Sequence, residues 1–64
     1  MLYAKFVDVS EIYGGNEAFD NGEETPITAS ADNGEGGYVE IYSNKLGRPY
    51  RLYPAEYEAF EVIK

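Results

Sequence analysis

A chain of 64 residues with twelve Asp and Glu against five Lys and Arg carries a formal charge of −7 and has room for one domain, residues 1–64, around one core. It contains no Cys and no His, which removes disulfides, thiolate metal sites, thiol nucleophiles and the commonest general base; no catalysis and no cofactor are expected. The acidic surplus disfavours direct binding to nucleic acid or to anionic membranes, both of which are gripped through Lys and Arg, and favours a partner protein with a basic surface.

Residues 2–9 are β-branched and aromatic with partial alternation and predict a first strand. The run from Gly14 to Gly22 is dense in turn formers and predicts an irregular, folded-back loop with Phe19 tucked beneath it. Ile27–Ser30 follows as a short strand, with Pro26 near its start, where an edge position would tolerate the missing N–H. Asp32–Gly37 then makes a flexible hairpin connection. Tyr38–Ser43 alternates strictly, sending Val39 and Ile41 to a core and Tyr38, Glu40 and Tyr42 to the opposite, wetter face. Asn44–Gly47 is a second turn, Pro49–Tyr53 the strand that pairs back, Pro54–Tyr57 a single helical turn with Pro first, and Phe60–Ile63 a closing strand.

These elements predict an all-β fold, a small five-stranded barrel with at most one helical turn near the C-terminus. Phe6, Val39, Ile41, Leu52 and Val62 are its expected core. Asp8 and Glu11 interrupt the N-terminal apolar pattern before a membrane span or signal-peptide core could form, so a soluble, unprocessed protein is expected, and the lack of Cys is compatible with a reducing cytoplasm.

Asp-Asn-Gly-Glu occurs at 20–23 and again at 32–35. Neither copy supplies the alternating oxygen ligands and distal Glu of a calcium loop, and both fall where turns are needed; no metal is expected. Lys45, Arg48 and Arg51 gather three of the five basic residues in one hairpin. They are expected to neutralise carboxylates and guard a sheet edge. An anion-facing patch is the alternative.

The segment Leu52-Tyr53-Pro54-Ala55-Glu56-Tyr57 resembles the C-terminal end of a Src-homology-3 domain, where a strand ends in an aromatic-Pro-small-polar-Tyr turn and re-enters the barrel as its last strand. The preceding order, an opening strand, a long loop at 10–24 and hairpins at 31–37 and 44–47, resembles that family too. By motif, Tyr53, Pro54 and Tyr57 would be ligand-groove residues. The chain has no Trp, the residue with which peptide-binding members grip Pro-rich ligands, so the resemblance implies the fold rather than that specificity. Compactness, acidity and abundant Tyr also resemble the small accessory proteins of bacteriophages, which commonly inhibit or redirect one host or defence protein and would act in the host cytoplasm.

The combined expectation is a non-catalytic binding module that docks on a basic, nucleic-acid-binding surface of another protein, in the extreme by mimicking nucleic acid. Tyr38, Glu40 and Tyr42 are its first candidate contacts, with Tyr53, Glu56, Tyr57 and Glu58 in support, since Tyr gives a large rigid contact area and tolerates water. An architectural piece of a larger assembly and a peptide-binding adaptor remain the alternatives. Oligomeric state is not encoded in any pattern of the chain.

Overall fold

The computed structural model describes residues 2–31 and 37–64. It is mostly β: β1 (Tyr3–Phe6), β2 (Glu24–Ala31), β3 (Tyr38–Ser43), β4 (Arg48–Leu52) and β5 (Phe60–Ile63) form one antiparallel sheet in the order β4-β3-β2-β1-β5. The edge strands β4 and β5 do not pair with each other, so hydrogen bonding leaves the sheet open rather than closed as a barrel. Strand β2 joins its two halves: Glu24–Pro26 pairs with β1, and Ile27–Ala31 pairs with β3. The register slips between Ile27 and Ala29, a bulge that bends the strand where it changes partner.

Pro26 therefore lies in an interior strand, not at the edge the sequence suggested. Ile27 N–H points to β1, bonding the Leu2 carbonyl, so the missing Pro26 N–H is one that would have pointed to β3. The Thr25 hydroxyl donates to the Tyr42 carbonyl at 2.7 Å in its place. Fully buried Thr25 is thus a polar residue with a defined task.

Among the described residues three short helical segments, not one, interrupt the strands: a 3-10 turn at Val9–Glu11, α1 at Gly15–Ala18 and a second 3-10 segment at Pro54–Ala59. The first strand accordingly ends at Phe6, not at Val9. There Val7 N–H and Asp8 N–H both turn to the Ala59 carbonyl, at 2.8 and 3.1 Å. Asp8 caps the 3-10 turn by accepting from Ser10 N–H, and Val9 N–H donates to the Asn21 side chain at 2.8 Å. Gly15 allows α1 to lie against that turn, because a Cβ there would overlap the Val9 carbonyl and crowd Ile12.

The core is aromatic. Phe6 stacks on Phe19 with centroids 4.1 Å apart, Phe60 and Tyr50 approach this pair at 5.9 and 5.8 Å, and Ile41, Leu52, Val9, Ile12 and three Ala fill the remainder. Phe19 does tuck under the loop, at 0% exposure. Of the five expected core residues, Phe6, Ile41 and Leu52 are buried and Val39 is half-buried against the cluster, but Val62 is 56% exposed. Val62 is paired with fully buried Ala4 and so shares its face. It sits near the end of an edge strand, where the covering residues give out.

The first Asp-Asn-Gly-Glu copy is a turn held by its own side chains and backbone. Asn21 caps Val9 N–H, Gly22 N–H donates to the Phe6 carbonyl, and the Glu23 carboxylate accepts from Asp20 N–H and from Asn44. The second copy, at 32–35, and most of the Asp32–Gly37 connection lie outside the described residues. No helix of the described chain is long and apolar enough to cross a membrane.

Candidate functional site

The expected site residues divide into two groups on different parts of the molecule. Tyr38, Glu40 and Tyr42 alternate along β3 on the face away from Ile41, each half-buried. Glu40 lies opposite Arg51 of β4, and Tyr42 opposite Pro49. Arg51 Nε stands 3.4 Å from Glu40 Oε1, and the guanidinium carbon sits 4.2 Å over the Tyr38 ring. Arg51 is held more firmly protonated than usual by its hydrogen bond to Glu40 first, then by the charge interaction with Tyr38 and a hydrogen bond with Tyr53. A cation thus covers the acid and one of the rings, and the patch is a paired, nearly neutral surface rather than an acidic one.

Glu56 and Glu58 ride on the second 3-10 segment, which packs on the first 3-10 turn and on β5. Glu56 is occupied at both oxygens: Oε1 accepts from Tyr53 N–H at 2.9 Å and Oε2 from Tyr13 N–H at 3.0 Å. This carboxylate ties together two loops 43 residues apart in sequence. Tyr57 packs edge-to-face on Phe60 at 6.0 Å and is a half-buried part of the core wall. Glu58 is exposed, and Tyr53 is half exposed.

One residue the sequence reading passed over stands out. Tyr13 is 92% exposed, the most exposed large hydrophobic residue among those described, yet its backbone is fixed on both sides. Its N–H is held by Glu56, its carbonyl accepts from the Tyr50 hydroxyl, and Gly14 follows in the left-handed region at φ 71°. Tyr-Gly-Gly marked a turn, but nothing in the local sequence reveals that Glu56 and Tyr50 would brace it.

The loop between β1 and β2 that carries Tyr13 holds only acidic charges of its own. No Lys or Arg occurs between Lys5 and Lys45, and Asp8, Glu11 and Glu17 are exposed on the loop that the second 3-10 segment packs beneath, with Glu58 exposed on that segment. Among the described residues no group of three or more carboxylates converges closely enough to hold a metal ion. Lys45 is drawn to Asp20 at 3.0 Å. Arg48 and Arg51, with Glu40, Pro49, Tyr50 and Tyr53, line an open groove of about 470 Å³ along β4. No family model, no curated protein and no solved structure matches the chain.

Proposed function

We propose that the protein is a non-catalytic binding module whose acidic end docks on the basic, nucleic-acid-binding surface of another protein and blocks it, as an inhibitor of the kind bacteriophages carry. The observation that supports this reading is the acidity of the loop that carries the braced Tyr13, which holds no Lys or Arg of its own. Asp8, Glu11 and Glu17 are exposed on it, Glu58 is exposed on the 3-10 segment packed against its first turn, and among the described residues the one basic side chain bonded to it is Lys45, at the Asn16 carbonyl and Asp20. Carboxylates so arranged can stand where phosphates would stand, and long-range attraction speeds association with a cationic partner. The strand order and the 3-10 segment before the last strand are consistent with a Src-homology-3-like arrangement, which would serve as the scaffold for this surface.

The test is a competition assay in which the protein is titrated against a panel of purified DNA- and RNA-binding proteins, each holding a labelled oligonucleotide. Release of the label from at least one member is expected at low salt, steeply weakened by added salt and abolished by combined Glu11→Lys, Glu17→Lys and Glu58→Lys. If every member keeps its nucleic acid, or the triple reversal competes as well as the parent, the acidic-docking reading is wrong.

A further inference from the structure

The groove along β4 has the opposite character from the acidic end. Its walls are Pro49, Tyr50 and Tyr53, its charges Arg48, Arg51 and Glu40, so cations outnumber anions there on a chain whose formal charge is −7. Arg48 is exposed and has no ion-pair, hydrogen-bond or ring partner among the described residues. Arg51 is aimed: Glu40 holds its Nε and Tyr38 lies beneath its guanidinium, which fixes the side chain while leaving it about half exposed. One free and one positioned guanidinium beside aromatic and proline surface make a place where a carboxylate and an apolar side chain can be held together.

The backbone narrows the kind of occupant. A segment adding to β4 as a sixth strand needs a row of free N–H and C=O groups, but Pro49 has no N–H and Tyr53 N–H is taken by Glu56. Side chains must therefore do the gripping. Two cations are too few for a nucleic-acid backbone, which would also meet the acidic remainder of the surface, whereas a short peptide brings one or two carboxylates and needs no more. We infer that the β4 groove binds a short acidic segment of a partner protein, a carboxylate on the unpaired Arg48 with an adjoining apolar or proline side chain against Tyr50, Pro49 and Tyr53. This inference does not depend on the acidic-end reading, since the two surfaces carry opposite charge and different residues.

The experiment is selection of random displayed dodecapeptides on the immobilised, folded protein, with parallel selections on Arg48→Glu and on the Glu11→Lys, Glu17→Lys, Glu58→Lys protein. Sequences pairing Asp or Glu with an apolar residue or Pro should be enriched on the parent and on the acidic-end variant and lost on Arg48→Glu. Synthesised singly, such a peptide should shift the amide resonances of Arg48 and of residues 50–53, and Arg48→Gln should weaken it about 1.4- to five-fold, the range expected of one exposed ion pair. Enrichment of only basic or uncharged peptides, no enrichment at all, or acidic peptides that bind Arg48→Glu equally well would overturn the assignment. So would tighter binding of a single-stranded oligonucleotide than of any acidic peptide. Basic peptides lost on the acidic-end variant would belong to the other surface.

Discussion

Each fully buried side chain carries a large share of stability in a domain with so few of them. Ile41 is 0% exposed between Ile27 and Tyr50, on the strand that connects the two halves of the sheet through β2. Ile41→Ala should cost about 2–5 kcal/mol through lost burial and the cavity left behind, enough to unfold much of the population. Val62→Ala, at a position with the same apolar chemistry and 56% exposure, should stay within about 0.5 kcal/mol of the parent. Urea midpoints of the two variants check both numbers, and equal losses would mean that Val62 is covered after all. Gly15→Ala acts by the opposite mechanism. The added methyl has nowhere to go between the Val9 carbonyl and Ile12, so α1 must lift from the first 3-10 turn at a cost of about 1–3 kcal/mol. Thermal unfolding measures that loss, and an unchanged melting temperature would show that the two turns do not touch so closely.

Among the elements, the strands were legible wherever one face meets a core and the other meets water. Tyr38–Ser43 was read at its correct bounds because its alternation reflects that division. The loop between β1 and β2 was not legible in the same way. Its two helical turns are too short to be stable alone, and what holds them is supplied from afar: Asn21 to Val9, Ala59 to Val7 and Asp8, Glu56 to Tyr13. Pro26 and Val62 misled for a related reason, since whether a strand is interior or an edge, and how far its cover extends, are properties of the assembled sheet. For the candidate site, residue type was readable and partnership was not. Tyr38, Glu40 and Tyr42 share a face as their spacing requires, but the charge of that face is set by Arg51, and Glu56 looked like free acidity while being bound at both oxygens. The Glu56 brace gives the element-scale prediction. Gln keeps the size but can accept through only one atom, so Glu56→Gln should release Tyr13 or Tyr53 N–H and cost about 1–2 kcal/mol. Hydrogen exchange at those two amides should accelerate while the amides of β3 keep most of their protection. Unaltered exchange at both would show that the carboxylate does not hold the loop.

For the molecule as a whole, the same charge should make stability and binding respond to salt in opposite directions. A formal −7 on 64 residues, relieved among the described residues by only the Lys45–Asp20 and Arg51–Glu40 ion pairs, leaves most carboxylates repelling one another on a small surface. Bringing them together is a cost of folding that the expanded chain largely escapes. Screening lengths fall from about 30 Å at 0.01 M to about 8 Å at 0.15 M ionic strength, and the principal extents of the fold are 29, 24 and 20 Å, so repulsion across the whole molecule at low salt becomes repulsion between neighbours only. The melting temperature should therefore rise between these two conditions. A relief of about 1 kcal/mol corresponds to roughly 4–8 °C in a domain of this size. The two ion pairs, being exposed, lose too little on screening to reverse the sign. Docking of the acidic end on a cationic partner should weaken over the same interval, because there the screened interaction is attractive. Differential scanning fluorimetry and the competition assay, run across one salt series, measure both slopes on one sample. A melting temperature that falls with salt would show that the carboxylates are stabilised in the fold by partners beyond these two cations, and that the acidic end is less free to meet another protein than its exposure implies.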